Sequence, residues 1–213
     1  MTRKIAIVSA GLSTPSTTGK LAEQIRNALH TEVTSRGESV DFVEVEVRQL
    51  AADLVKRMTS GTPCPDLQAI EREILGSDGL VAVTPVFSAS YSGLFKMFFD
   101  SMDKDALIGK PTLLAATAGT MRHSLVIEYA MRPLFAYLRA DIVPTGVFAA
   151  TDDFAGHEDL FVRVRRAAGE LVSRVLRADT SVAGFRASVQ DDGKIREIPG
   201  GFAALLKGRK GAP

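Results

Sequence analysis

The chain has 213 residues, enough for one or two domains, with 46% hydrophobic and 24% charged residues and a net charge of +1. That balance suits a globular protein with a substantial core and gives no support to a nucleic-acid binder or an acidic, solvated chain. The lone Cys64 excludes an internal disulfide and a multi-cysteine metal site, and the scattered His30, His123 and His157 offer no metal cluster. The first apolar run is too short for a signal peptide or a membrane span, so a reducing, cytoplasmic setting is expected.

Ile5, Ala6, Ile7 and Val8 predict a first strand, followed by a loop of small and hydroxylated residues over 9–18. A helix begins near Thr17, because Leu21, Ala22, Ile25, Ala28, Leu29 and Val33 recur at three- and four-residue spacing until Arg36-Gly37. Val40, Phe42, Val43, Val45 and Val47 mark a β-branched second strand. A short helix over 50–58 is broken by the Gly- and Pro-containing stretch 60–65, in which Cys64 reads as structural; Asp66 then caps another helix. Residues 79–84 are a continuous apolar run, as in a strand buried on both faces, and Pro85 stops it. A loop through Tyr91 leads to a helix over 92–100, and a strand over 112–117 leads to a loop over 118–124. The next helix starts at Leu125; Pro133 kinks or divides it, and Phe135 and Tyr137 give it an aromatic surface. A last strand region over 141–150 precedes a long helix over 157–176.

Strands alternating with helices imply a parallel sheet covered on both faces. The expected fold is therefore a flavodoxin-like three-layer α/β sandwich whose five-stranded parallel sheet has the order 2-1-3-4-5. The expected domain covers 1–178. Beyond Ala178 periodicity fades, and 179–213 is read as a partly flexible extension whose Lys207, Arg209 and Lys210 are solvated.

Ligands of such sheets bind at the carboxyl ends of the strands, where three loops meet here: 9–18, 85–91 and 117–123. A helix N-terminus has unpaired N–H groups and a partial positive charge, so it favours anions. A single helix cap needs one hydroxyl, whereas the first loop offers Ser9, Ser13, Thr14, Ser16, Thr17 and Thr18. Gly19-Lys20 is followed by Leu21 and preceded by Thr14 where a Walker loop has Gly, and no Gly-x-Gly-x-x-Gly follows a strand. A flavin mononucleotide fits what remains. The first loop suits its phosphate, the loop from Pro85 and Val86 through Phe87 and Ser88 to Tyr91 can lie against a flat ring, and Gly119 and Thr120 offer N–H donors to its polar edge. Phe87 and Tyr91 can equally be packing residues.

The first-loop residues, Thr84-Pro85-Val86-Phe87 with Gly93-Leu94-Phe95-Lys96 and Asp100, and Thr117-Ala118-Gly119-Thr120 together resemble the NADPH-dependent FMN reductase family over about residues 3–178. The segment 122–138 is similar to the branch that supplies reduced FMN to luciferase-like monooxygenases. The resemblance implies hydride transfer from NADPH to FMN, a homodimer with flavin sites near its interface, and a monooxygenase partner. It implies FMN contacts from Ser9, Leu12, Ser13, Ser16, Thr17, Thr18, Pro85, Val86, Phe87, Ser88, Thr117, Ala118, Gly119, Thr120, Arg122 and His123. Arg122 suits the reduced ring, the NADPH phosphate or a surface ion pair, and His123 a ligand contact or a helix cap. This chain has Ser13 where many relatives carry a basic residue, Thr18 where Asn occurs, and Phe87 where Tyr or Asn is frequent. Two other activities share the fold: an NAD(P)H quinone or azo-dye reductase, and a flavodoxin-like electron carrier. Near-neutral charge and the absence of Trp disfavour the carrier.

Overall fold

The sheet is built outward from the apolar run at residues 79–84. In the computed structural model, which describes residues 2–155 and 158–177, this run is most of β3 (Gly79–Phe87). β3 lies between β1 (Thr2–Ser9) and β5 (Pro111–Ala118), and β2 (Ser39–Glu46) pairs with the far side of β1, all in parallel. Hydrophobic residues alternate between the faces, as the two-residue period of a strand requires. Ile5, Ile7, Val81 and Val83 face α1 (Thr17–Thr34) and α6 (Glu158–Arg177). Ala6, Val8, Leu80 and Ala82 face the other way, sharing a core with α2 (Ala51–Ser60), α3 (Pro65–Leu75) and α4 (Gly93–Ser101). Cys64 is buried in that second core. The proposed extension at 179–213 lies outside the described residues.

The expected strand order holds as an order of positions, with two corrections to the five-stranded, all-parallel sheet. First, β3 does not stop at Pro85. It runs to Phe87 and folds back onto β4 (Ser90–Tyr91), an antiparallel pair closed by Ser88 and Ala89. Both turn residues have positive φ, 48° and 64°, the conformation of a two-residue hairpin turn, although neither is glycine. Second, the last strand is split into β6 (Asp141–Ile142) and β7 (Val147–Ala150), each pairing with β5. Pro144 brings no N–H to the break, and the Val143 and Pro144 carbonyls accept from the Arg132 guanidinium. Gly146 sits where a Cβ would come within 2.6 Å of Ile127.

The helix expected from Leu125 is divided. A 3₁₀ turn (Met121–His123) and a π-helical turn (Ile127–Met131) precede α5 (Arg132–Tyr137), which holds Pro133 in its first turn, where a missing N–H is tolerated. Phe135 does not add to an aromatic surface: it is fully buried, its ring 4.8 Å from that of Phe99 and 6.1 Å from that of Phe95. Tyr137 is exposed.

One side-chain contact ties the first loop's helix to the third loop's strand. Thr18 in the first turn of α1 and Thr117 near the end of β5 are both buried, and their hydroxyls hydrogen-bond at 2.8 Å. Replacing one partner strands the other hydroxyl in the core, whereas replacing both removes the unmet demand. Thr18→Val or Thr117→Val should therefore each lower unfolding free energy by ~1–3 kcal/mol, and the double variant should recover much of that loss in a urea-denaturation cycle. Ala89→Gly should raise stability by about 1 kcal/mol, because glycine adopts positive φ without the Cβ clash; a higher urea midpoint would register it.

Candidate functional site

Strand register brings the three loops together. Ser9 is opposite Val83, and Pro85 is opposite Thr117, so the chain leaves β1, β3 and β5 at the same edge of the sheet. The Ala10 N–H donates to the Val83 carbonyl at 2.9 Å, which fastens the start of the first loop to the neighbouring strand.

In the first loop, Ser16 is the N-cap of α1, and its Oγ accepts from the Gly19 N–H at 2.9 Å. The Lys20 N–H donates to the Ser16 carbonyl at 3.0 Å. These bonds leave the N–H groups of Thr17 and Thr18 for an outside acceptor at the positive end of an 18-residue helix. Thr18 can serve an anion only through that N–H, because its hydroxyl is held by Thr117. Ser13 is exposed and its hydroxyl donates to the Pro15 carbonyl at 3.1 Å, while Leu12 and Thr17 are exposed and Ser9 is half-buried. Gly11 is a residue that the loop's hydroxyl pattern hides: a Cβ there would lie 2.5 Å from Ser16 Oγ, so any side chain would push that hydroxyl off its cap.

The second loop is the β3–β4 hairpin. Thr84, fully buried, accepts from the Ser92 N–H at 3.0 Å and donates to the Pro85 carbonyl at 2.9 Å; Ser92 in turn caps α4 through the Phe95 N–H at 3.2 Å. Pro85 and Val86 are half-buried, whereas Ser88 is exposed. Tyr91 realises its packing role, with its ring 5.7 Å from that of Phe95. Phe87 does not: it is 48% exposed at the tip of the hairpin. Lys96 is paired with Asp100 at 2.5 Å along α4, so its charge is balanced locally.

In the third loop, Thr117 is buried and Ala118 half-buried, while Gly119, Thr120 and Arg122 are exposed and His123 is half-buried. Neither the Gly119 nor the Thr120 N–H is used in a hydrogen bond among the described residues, and open space surrounds Gly119. Arg122 has no ion-pair or hydrogen-bond partner among them either. The edge therefore combines free N–H donors on two loops, one free guanidinium and an exposed ring, with no carboxylate from the loops themselves.

Arg48 is a second residue not apparent from sequence spacing. It lies in the 3₁₀ turn Val47–Leu50 after β2, and its Nη2 donates to Thr14 Oγ1 at 2.7 Å. With Lys20 and Arg26 it lines a cavity of about 440 Å³ beside the first loop. A larger cavity of about 830 Å³ lies between α1 and α6, but Glu32, Asp153 and Glu158 line it, and it is away from the strand ends. Glu23, Glu44 and Glu46 also line the cavity beside the first loop, but Lys20, Arg26 and Arg48 balance them, whereas Arg165 alone faces the three carboxylates of the larger cavity, so the loop edge is the better anion site.

Comparison with known proteins shows the family. The sequence model of the NADPH-dependent FMN reductase family matches residues 3–155. An FMN reductase (NADPH) of Pseudomonas aeruginosa is 37% identical over 171 residues, covering 78% of this chain and 88% of that protein. An NADH-dependent FMN reductase of Pseudomonas putida is 36% identical over 186 residues, covering 87% and 95%. The crystal structure of an oxidoreductase from Corynebacterium diphtheriae superposes with a TM-score of 0.80 at 52% identity, covering 83% of this chain and 98% of that one. An NADH:FMN oxidoreductase superposes with a TM-score of 0.69 at 26% identity, covering 82% and 89%. Matched by the family model across all three loops, and similar to these reductases over nearly their whole length, the chain belongs to the NADPH-dependent FMN reductase family.

Proposed function

We propose that this NAD(P)H-dependent FMN reductase holds FMN across the three loops at the carboxyl edge of β1, β3 and β5. The observation that carries the reading is the convergence of unpaired N–H donors at Thr17 and Thr18 with those at Gly119 and Thr120, the two sets fixed in register by the buried Thr18–Thr117 bond. The phosphate meets the α1 N-terminus and the Ser16 hydroxyl, whose own O–H is uncommitted; the Ser13 hydroxyl joins them only by giving up its bond to the Pro15 carbonyl. The flat ring lies along Pro85, Val86 and the exposed Phe87, with its polar edge toward Gly119 and Thr120. FMN, when bound, supplies the hydride-accepting ring, so the chain needs no nucleophile or acid–base pair of its own. Its residues position the reactants and set the field. Gly119, Thr120 and Arg122 oppose negative charge with fixed donors at no reorganisation cost, and Phe87 limits water at the open face. His123 reads as a structural residue of the Met121–His123 turn beside Arg122.

NADPH is the reductant implied by the family. We further read the chain as a cytoplasmic homodimer that supplies reduced flavin to a flavin-dependent monooxygenase. The resemblance of 122–138 supports the monooxygenase, and exposed Leu125, Tyr129 and Tyr137 support a subunit contact on that segment. No described helix is long and apolar enough to cross a membrane.

The testing experiment is steady-state oxidation of NADPH and NADH by the purified full-length chain, with FMN, a quinone or an azo dye as acceptor. FMN-dependent oxidation with the highest kcat/KM for FMN is expected; preference for quinone or dye would reassign the acceptor, and tight FMN binding without turnover would indicate a carrier. Phe87→Ala should lower kcat/KM for FMN roughly tenfold, equivalent to ~1.4 kcal/mol of lost ring contact. Gly11→Ala should weaken FMN binding by about tenfold or more, because its methyl group displaces the Ser16 cap; fluorescence titration measures it.

A further inference from the structure

The first loop carries no charged side chain from Ser9 through Gly19, yet a doubly charged phosphate is the group assigned to it. The positive charge that reaches this loop comes from another strand. Arg48 follows β2, and its guanidinium donates to Thr14 Oγ1 at 2.7 Å. Among the described residues this is its one hydrogen bond: Glu46, the carboxylate beside it, is 3.9 Å away and already accepts from Gln49 Nε2 at 2.8 Å. Arg48 therefore keeps N–H donors to spare. The other cations of the same cavity are placed differently. Arg26 is paired with Glu44 at 2.8 Å, and Lys20 is exposed on α1 with no bond from its ammonium group to the loop. By accepting from Arg48, Thr14 turns its own O–H away from the guanidinium and toward a second acceptor.

We propose that Arg48 is the residue by which this reductase distinguishes the phosphorylated flavin, FMN, from riboflavin. It does so through its charge and by orienting Thr14, while the ring contacts are common to both ligands. The proposal rests on the placement of the FMN phosphate in the first loop. Arg48 is 42% exposed on its side chain, so its effect is moderate and screened by salt.

The test compares dissociation constants for FMN and riboflavin, by flavin fluorescence quenching, in the full-length protein and its Arg48→Gln, Arg48→Lys and Lys20→Gln variants at low and high salt. The wild type is expected to prefer FMN. Arg48→Gln should weaken FMN roughly five- to tenfold at low salt, with riboflavin unchanged and a smaller loss at high salt. Arg48→Lys should retain most of the preference, and Lys20→Gln should keep it in full. An unchanged FMN-to-riboflavin ratio in Arg48→Gln, an equal loss for both flavins, or a loss carried by Lys20→Gln instead would overturn the assignment to Arg48. A wild type that binds both flavins equally would overturn the phosphate placement itself.

Discussion

The geometry of the candidate site depends on a hydrogen bond inside the protein. Thr18 and Thr117 share a proton donor and acceptor at 2.8 Å with almost no access to solvent. One lies in the first turn of α1, the other near the end of β5, the strand that pairs with β3. A buried hydroxyl without a partner is costly, so this pair sets how far the helix N-terminus stands from the third loop. That separation decides whether a single ligand can meet the N–H donors of both. The Ala10–Val83 bond and the Thr84–Ser92 contact hold the second loop to the same frame. Function here is thus positioning by the scaffold, with donors left open by loops that cannot satisfy them internally.

Much of the fold was legible because its signals are local. Residues 79–84 could be read as a doubly buried strand from continuity alone, and α1 from its apolar spacing. The corrections arise where distant residues decide. Pro85 is a plausible strand end, but antiparallel pairing with β4 carries β3 to Phe87. The break between β6 and β7 depends on Arg132 reaching the Val143 and Pro144 carbonyls and on the space that Gly146 leaves to Ile127. Phe135 reads as surface beside Tyr137, but the chain that leaves the π-helical turn Ile127–Met131 carries it in against Phe95 and Phe99.

The candidate site divides the same way. The three loops, the Ser16 cap and the open donors at Gly119 and Thr120 follow from residue type and strand-end position. The inward turn of the Thr18 hydroxyl does not, because its partner is 99 residues away. Arg48 is equally hidden: only the parallel pairing of β1 with β2 brings the residue after Glu46 and Val47 beside a loop that begins at Ser9. Gly11 offered a weak signal, a glycine two residues beyond a strand, whose meaning depends on where Ser16 folds back.

The most direct test of the three-loop site is a crystal structure of the chain with FMN. The phosphate is expected within hydrogen-bond distance of the Thr17 and Thr18 N–H groups, with the ring against Phe87 and its polar edge at Gly119 and Thr120. Flavin bound instead in the groove between α1 and α6, or with its phosphate away from the α1 N-terminus, would contradict the account.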